Sequence, residues 1–407
     1  MWIFNVMFQD VNPAPPVKVF QLTAQYLEDQ APVKYNLGVG AYRTNEGKPY
    51  ILESVRQAEE RILADNTLTH EYLPIDGLKD FTDGATALIF GKEHPMFVQR
   101  KYVAVQSLSG TGAICLAAVF MKQCLKKNTV YISSPTWPNH RSIFMNWGFE
   151  NIKEYRYWDK HNKCLDFQGM IDDLQAADKE SVVILHSAAH NPTGCDPSRE
   201  HWDKVLDVVK ERQLIPLFDS AYLGFASGSF DNDSYPLLAA VDRNIEGFIC
   251  QSFAKNFGLY DCRIGNLIVV NNNIEKSEAI RSQLKRIARF IYSNPPSHGA
   301  RIIAMILNDP NSTENWKREV EMMSNRIKEM RHLLYDHLKS KGISWDHIIT
   351  QIGLFAFTGL TAKQVAFVKE KYHIYMMDDG RINVCALTTN NVQYIADAFY
   401  QATQQCS

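Results

Sequence analysis

The sequence GFICQSFAKNFGLYDCRIGNLIVV, residues 247–270, holds two short apolar runs, GFIC and NLIVV, on either side of a loop. The loop carries a single lysine, Lys255, and an arginine eight positions later, Arg263. Short apolar runs with β-branched residues are typical of buried strands. The stretch therefore predicts a strand, a polar loop and a second strand, and it places one cation just beyond a buried strand.

Apolar runs of the same kind recur along the chain and alternate with helix-like patterns. The segment REHWDKVLDVVKERQ has apolar residues at helical spacing and lies between two such runs. Strands that alternate with helices are typical of an α/β fold with a buried, mainly parallel sheet. Strands are therefore predicted over residues 101–106, 129–134, 181–186, 214–219, 247–252 and 266–270, with helices over residues 110–125 and 199–213.

The pattern changes after about residue 311. One long charged helix is predicted over residues 314–342, followed by short strand candidates over 354–360 and 381–387. A chain of 407 residues is also longer than one hydrophobic core normally supports. The C-terminal part therefore predicts a second, smaller α/β unit.

The composition is that of a soluble globular protein, with 45% hydrophobic and 22% charged residues. A net charge of −2 provides no attraction to nucleic acid or to an anionic membrane. The eight cysteines form no C-x-x-C pair, so we expect buried thiols in a reducing compartment and no metal site. These features predict a protein without nucleic-acid or membrane partners.

The N-terminal sequence MWIFNVMFQD is apolar but lacks the features of a targeting signal. It has no basic residue before Lys18 and no small-residue cleavage site. No apolar stretch approaches the roughly 18 residues of a membrane span. We therefore expect a cytoplasmic location, with the apolar start packed against another surface of the protein or of a partner subunit.

Polar residues follow several of the predicted strands. Ligands of open parallel sheets bind beyond the carboxyl ends of the strands, so these residues are expected to converge on one site. The strand ends at 106, 134, 186, 219 and 252 would supply Ser109, Thr111, Trp137, His140, Asn191, Asp219, Tyr222 and Lys255.

Two of these features suit a particular chemistry: one would bind an anion, and the other would react as an amine. The turn SGTG, residues 109–112, opens a predicted helix and would present backbone N–H groups to a phosphate, with Arg263 adding a forked positive charge. Lys255 is a candidate for forming a Schiff base, because burial favours its neutral amine. Asp219 could hold a protonated pyridine nitrogen, Tyr222 a phenolate oxygen and Trp137 the ring face. Together they describe a site for pyridoxal 5'-phosphate.

Each feature also has a simpler explanation. SGTG could be an ordinary turn, Asp219 a helix N-cap and Lys255 a solvated loop residue. His186 and His190 are four apart and could bind a metal on a helix, but the sequence NPTG that follows would break such a helix. The cofactor hypothesis therefore depends on the occurrence of all these residues together, at the ends of five predicted strands of one chain.

A series of motifs runs in order along nearly the whole chain: NLGVGAYRT, HEYLPIDGL, QSLSGTGA, SSPTWPNH, AHNPTG, FDSAYLGFASG, QSFAKNFGLY, RIGNL, SNPP with GAR, and GRINVCALT. In these motifs the chain resembles the aspartate aminotransferases, which are pyridoxal-phosphate enzymes of fold type I, and it resembles the eukaryotic cytosolic type most. The likeness departs at Pro138, Ala254, Cys262 and Ala386, none of which removes a group with a chemical role.

The resemblance implies a fold and a set of roles. It implies a large cofactor-binding domain over residues 48–320 and a small α/β domain built from residues 1–47 and 321–407. It implies that Lys255 binds the cofactor and moves the α-proton, with Asp219 on the pyridinium nitrogen. The other implied cofactor contacts are Tyr222 and Asn191 on the ring oxygen, Trp137 on the ring, and Ser109, Gly110, Thr111, Ser252 and Arg263 on the phosphate.

The resemblance also implies a substrate and an assembly. Arg381 would bind the α-carboxylate and Gly40 would lie against substrate, with Trp137 and Asn191 nearby. Tyr72 and Arg289 would complete the site of the neighbouring subunit in a homodimer, Arg289 by binding the side-chain carboxylate. The implied reaction is ping-pong transamination between L-aspartate and 2-oxoglutarate. The alternatives are an aminotransferase for aromatic or sulfur amino acids and a catalytically silent relative that only binds a ligand or partner.

Overall fold

The computed structural model describes residues 7–406. Met7 and Phe8 are exposed on this chain. Most of the apolar start lies outside the described residues, so its predicted packing stays a prediction. Among the described residues, we find no helix that is both long and apolar enough to span a membrane.

The strands and helices alternate through most of the described chain. The strands are β1 Tyr35–Asn36, β2 Tyr102–Leu108, β3 Thr129–Ser134, β4 Asn151–Arg156, β5 Trp158–Asp159, β6 Cys164–Leu165, β7 Val182–His186, β8 Ile215–Ser220, β9 Gly247–Ser252, β10 Ile264–Val270, β11 Phe355–Phe357, β12 Ile374–Tyr375 and β13 Arg381–Asn383. The α-helices are α1 Lys18–Glu28, α2 Glu53–Ala64, α3 Lys79–Phe90, α4 Pro95–Val98, α5 Ser109–Gln123, α6 Pro138–Asn146, α7 Phe167–Gln175, α8 Arg199–Glu211, α9 Phe230–Asp233, α10 Tyr235–Asp242, α11 Ser277–Ile291, α12 His298–Leu307, α13 Pro310–Lys339, α14 Asp346–Thr350, α15 Ala362–Tyr372 and α16 Val392–Gln405.

A seven-stranded sheet forms the centre of the fold. Its order is β2-β10-β9-β8-β7-β3-β4, and the pairs from β9 to β4 are parallel. Only β10 runs against both of its neighbours, because a loop without a crossover helix joins it to β9. The predicted α/β fold with a mainly parallel sheet is confirmed.

Both faces of this sheet are covered. Val103 and Val105 of β2 belong to a core shared with α5, whereas Tyr102 and Ala104 belong to a second core on the opposite face. Strands β7, β9 and β10 are buried along their whole length. This two-sided burial explains why these strands have continuous apolar sequences and not alternating ones.

Residues from both ends of the chain pair in a small parallel sheet. Tyr35 of β1 lies opposite Ile374 of β12, and Asn36 lies opposite Tyr375. This pairing agrees with a small domain built from both termini, although the boundary predicted at residue 320 falls inside the 30-residue helix α13. The division into 48–320 and the two terminal segments therefore remains a prediction.

The strand predicted over residues 381–387 is shorter than expected. It ends at Asn383 and continues as a 3₁₀ turn over Val384–Ala386. The side chain of Asn383 accepts a hydrogen bond from the N–H of Cys385 and donates to the carbonyls of Val39 and Ala41. These side-chain contacts replace the ladder bonds that would extend the strand.

The N-terminus of α2 is capped by a residue from another helix. Leu52, at the N-cap position, offers no side-chain acceptor. Instead Glu319 of α13 accepts hydrogen bonds from the backbone N–H groups of Glu53 and Ser54, the latter at 3.1 Å. A carboxylate at a helix N-terminus stabilises both the free N–H groups and the helix dipole.

We predict that Glu319→Ala lowers the free energy of unfolding by about 0.5–2 kcal/mol, the usual cost of losing an N-cap. The measurement is the thermal midpoint followed by circular dichroism. Glu321→Ala, at an exposed position on the same helix, is the control and should change the midpoint little. Equal midpoints for the two variants would contradict the capping role.

Candidate active site

A cavity of about 160 Å³ lies where the carboxyl ends of the parallel strands meet the start of α5. It brings together ten of the residues that the sequence predicts for the site. The lining residues are Ser109, Gly110, Thr111, Ile114, Trp137, Asn191, Asp219, Ala221, Tyr222, Ser252, Lys255 and Arg263.

The strand register explains why these residues converge. His186 of β7 lies opposite Asp219 of β8, and Asp219 lies opposite Cys250 of β9. The three strands therefore end at nearly the same level. Lys255 follows β9 by three residues and so reaches the space above Asp219.

One end of the cavity is built to hold an anion. Helix α5 begins at Ser109, whose own N–H donates to the carbonyl of Arg263 at 3.1 Å and whose hydroxyl is 3.0 Å from that of Ser252. Gly265 allows this close approach, because a Cβ there would lie 2.4 Å from the Ser109 carbonyl carbon. Free N–H groups at a helix start, two hydroxyls and the Arg263 guanidinium suit a phosphate.

Asp219 is buried beside a histidine. The Nε2–H of His140 donates to Asp219 Oδ2 at 3.0 Å, and His140 Nδ1 lies 2.8 Å from the hydroxyl of Thr136. Burial alone would raise the pKa of the Asp219 carboxyl. The hydrogen bond from His140 and nearby positive charge outweigh burial, so this pKa lies below that of a free aspartate. Asp219 is therefore an ionised carboxylate that can hold a cationic N–H.

Lys255 lies above the ring of Tyr222, with 5.2 Å between its Nζ and the ring centroid. Burial lowers the pKa of the Lys255 amine, the charge of Asp219 raises it, and the charge of Arg263 lowers it; the net direction is downward. Burial and the charge of Asp219 raise the pKa of the Tyr222 phenol. Compared with free side chains, the cavity shifts the Lys255 amine toward its neutral form and the Tyr222 phenol toward its protonated form.

Arg381 joins the cavity through Asn191. Its Nη1 donates to Asn191 Oδ1 at 3.2 Å, and its guanidinium lies 4.5 Å from the centroid of the Phe355 ring. Gly40 faces the same ring, since a Cβ there would lie 2.8 Å from Phe355 Cζ. Arg381 and Gly40 are therefore close to the predicted cofactor residues, and Phe355 is a contact that the sequence did not reveal.

Tyr72 and Arg289 do not line the cavity of their own chain. Tyr72 is 79% exposed, and Arg289 is exposed near the end of α11, where it donates to the side chains of Ser293 and Asn294. Asn294 in turn donates to the carbonyl of Leu73 at 2.7 Å. Tyr72 therefore lies in a loop that is hydrogen-bonded to the segment following α11, the helix that carries Arg289. The role of both residues toward another subunit remains a prediction.

The simpler explanations of single residues do not describe this structure. Asp219 lies within β8 and is not an N-cap, and Lys255 is partly buried. His186 ends β7 and His190 lies in the following loop, so the two do not share a helix. Both nitrogens of His190 have hydroxyl partners, Ser133 at 2.9 Å and Thr193 at 2.8 Å.

The hydrogen bond between His140 and Asp219 was missed by the sequence reasoning. His140 was expected near the site only because it follows a strand end. The available signal is its spacing from Thr136, four residues earlier and two residues before α6, which orients the imidazole through its other nitrogen. A hydrogen bond at the second ring nitrogen fixes the orientation of a histidine.

The donor set of the cavity fits pyridoxal phosphate. It offers an anion site at one end, an ionised carboxylate at the other, and an amine and a phenol between them. Comparison with known proteins agrees. The fold and the cavity define a pyridoxal-phosphate enzyme, and the chain belongs to the family described as aminotransferase class I and II, whose model matches residues 32–399.

Relatives cover nearly the full length of the chain. The cytoplasmic aspartate aminotransferase of Gallus gallus is 47% identical over 97% of this chain and 98% of its own. A solved aspartate aminotransferase from the cytoplasm of Saccharomyces cerevisiae is 40% identical, with a TM-score of 0.96 over 98% of this chain and 99% of that one. An aromatic-amino-acid aminotransferase from Burkholderia pseudomallei, covalently bound to pyridoxal phosphate, is 36% identical, with a TM-score of 0.94 over 97% and 99%.

The lowered pKa of Lys255 can be measured in cofactor-free protein. Acylation by acetic anhydride over a pH series, read by peptide mass spectrometry, reports the neutral amine. We expect half-maximal reaction of Lys255 at a lower pH than for the exposed Lys92 in the same digest. Asp219→Asn removes a charge that holds the proton on Lys255, so the midpoint should fall further. A midpoint at or above that of Lys92 would contradict the electrostatic assignment.

Proposed function

We propose that this protein is a cytoplasmic enzyme that transfers the amino group of L-aspartate to 2-oxoglutarate and forms oxaloacetate and L-glutamate. The observation that carries the proposal is the partly buried Lys255 amine. It lies in one cavity with Asp219 and an anion site, and Asn191 links this cavity to Arg381. The names of the Gallus gallus and Saccharomyces cerevisiae relatives support the substrate and the location.

One group of the proposed cofactor residues would bind its phosphate. Ser109, Gly110, Thr111, Ser252 and Arg263 would hold the phosphate. When bound, pyridoxal phosphate supplies an aldehyde that condenses with amines and a ring that takes up the electrons released at the substrate α-carbon.

The ring itself would be held from its edge and its face. Asp219 would keep the ring nitrogen protonated, because its own pKa is lowered and it stays ionised. Tyr222 and Asn191 would bind the ring oxygen, and Trp137 would cover the ring face. These contacts fix the ring plane relative to Lys255.

Lys255 would move the proton. Its lowered pKa favours the neutral amine, which would accept the proton of the substrate α-carbon. The same amine would then be the group that donates this proton again. Because one substrate leaves as a 2-oxo acid before the next one enters, the kinetics should be ping-pong.

Two arginines would recognise the two carboxylates of the substrate. Arg381 would bind the α-carboxylate, near the backbone of Gly40. Arg289 of a neighbouring subunit would bind the side-chain carboxylate by a bidentate, charge-assisted contact. An aspartate or a glutamate satisfies both arginines, whereas other amino acids leave Arg289 without a partner.

The assembly that this requires is a two-fold symmetric homodimer with two shared sites. Its support is that the loop of Tyr72 and the Arg289 side chain, on α11, are linked through Asn294 and lie away from the cavity of their own chain. A surface that carries both residues could complete the partner's cavity. We also propose residues 48–320 as the cofactor-binding domain and residues 1–47 with 321–407 as the small domain.

Hybrid dimers test the shared site. Lys255→Ala should lose turnover because the proton carrier is gone, and Arg289→Ala should lose activity toward aspartate. After subunit exchange, each hybrid dimer would contain one cavity with both residues intact, so up to about half of the hybrid sites should recover activity. Failure to recover after exchange has been verified by mass spectrometry would show that both residues serve the same chain.

The runner-up function is transamination of aromatic or sulfur amino acids. It is favoured by the structural likeness to the aromatic-amino-acid aminotransferase from Burkholderia pseudomallei. An exposed arginine such as Arg289 could swing aside and admit an apolar side chain. A silent binding protein is not favoured, because Lys255 and Asp219 line one cavity and Arg381 is hydrogen-bonded to Asn191 in its wall.

Arg289→Ala distinguishes the two specificities. Removing one partner of a buried charge pair costs roughly 2–5 kcal/mol. At about 1.36 kcal/mol per tenfold, kcat/KM toward aspartate should fall on the order of thirtyfold to several thousandfold, with little change toward phenylalanine. Arg381→Ala is the matched control and should reduce kcat/KM toward both. An equal effect of Arg289→Ala on both substrates would put the aromatic function first.

A further inference from the structure

Arg331 is a buried cation that the reaction described above does not use. It lies on α13 and is only 2% exposed. Among the described residues, it forms no ion pair with a carboxylate, and its Nε has no hydrogen-bond partner. A buried charge without a counter-ion is costly, so its contacts must serve something that a hydrophobic side chain would not.

The contacts of Arg331 are three backbone carbonyls of one segment. Nη1 donates to the carbonyl of Ile348 at 3.0 Å, and Nη2 donates to those of Gly353 at 2.8 Å and of Phe355. A planar guanidinium with several donors can hold these carbonyls in fixed relative positions. Arg331 therefore clamps residues 348–355 onto α13.

The first connection to the active site passes through Phe355. This residue begins β11, which pairs with β13, the strand that carries Arg381. The Phe355 ring lies 4.5 Å from the Arg381 guanidinium and 6.3 Å from the centroid of the Tyr222 ring. A shift of the Phe355 backbone would therefore move the surface on which Arg381 rests.

The second connection passes through the loop that carries Asn191. The N–H of Ile352, next to Gly353, donates to the carbonyl of Gly194 at 2.7 Å. Gly194 has φ +66°, and a Cβ there would lie 2.8 Å from the same Phe355 carbonyl that Arg331 binds. The loop that positions Asn191, the hydrogen-bond partner of Arg381, is thus packed on the clamped segment.

We propose that Arg331 is a positioning residue for the substrate α-carboxylate, because it fixes both the aromatic surface under Arg381 and the loop that carries the partner of Arg381. The proposal rests on the proposed role of Arg381. It predicts that Arg331 affects substrate affinity more than proton transfer, since none of its contacts reaches Lys255 or Asp219.

The experiment compares Arg331→Met and Arg331→Lys with wild type as cofactor-loaded enzymes. KM should rise on the order of tenfold to a hundredfold for aspartate and for phenylalanine alike, since both have an α-carboxylate. The kcat should stay within about threefold, because the proton chemistry is intact. Binding of succinate, measured by calorimetry, should weaken by a similar factor.

Arg326→Met is the control for stability. Arg326 lies on the same helix and donates to the carbonyls of Thr44 and Leu387, not to the segment 348–355. Its substitution should lower the thermal midpoint while leaving both KM values within about twofold. If Arg331→Met lowered the midpoint but left KM and succinate binding unchanged, Arg331 would be only structural and the proposal would be wrong.

Two further variants keep the result interpretable. If Arg331→Met fails to fold, a double-mutant cycle of Arg331→Lys with Phe355→Leu should show clearly non-additive effects on KM, and additive effects would overturn the proposal. Arg381→Lys, measured in parallel, tests the underlying assignment. An unchanged KM in that variant would refute the role of Arg381, whereas a raised KM there with normal KM in the Arg331 variants would refute only the role of Arg331.

Discussion

The common level at which strands β7, β8 and β9 end is the constraint on which the site depends. Parallel pairing sets His186 opposite Asp219 and Asp219 opposite Cys250, so the residues after these strands enter the same space. The strands stay in this register because both faces of the sheet are buried. A slip by one residue would move every side chain of a strand to the opposite face, where it would not fit the core. The cavity therefore follows from the core of the protein.

Within the cavity, two neighbouring groups would both have to give up a proton, with opposite effects on their charge. The proposed chemistry requires an ionised Asp219 and a neutral Lys255, but burial favours the neutral form of both, so for Asp219 it acts against the required state. His140 resolves the conflict for Asp219, because its hydrogen bond lowers the pKa of the carboxyl without adding a partner for Lys255. Arg263 acts on the other side, where its charge lowers the pKa of Lys255 while its guanidinium serves the anion site.

The sequence reveals those parts of the site that depend on local pattern. Lys255 and Asp219 could be predicted because each lies at or just after a continuous apolar run, and α5 because SGTG opens it. The direction of β10 could not be predicted, since its apolar sequence is the same in either direction. The contacts of Arg331 with Phe355 and of His140 with Asp219 depend on tertiary packing. The roles predicted for Tyr72 and Arg289 require a second subunit, so contacts within one chain do not reveal them.

The site is formed by two parts of the fold that are held in place in different ways. The residues proposed to hold the cofactor lie on strand ends and a helix start of one buried sheet, where backbone positions are determined on both faces. Arg381 and Gly40 instead lie beside Phe355, on short strands and loops that α13 holds through Arg331. If Arg381 binds the α-carboxylate, changes in the second group would alter the affinity for every amino acid alike, while Asp219 and Lys255 keep their positions. A choice between aspartate and aromatic amino acids, as in the names of the relatives, would then have to come from Arg289 of the neighbouring subunit.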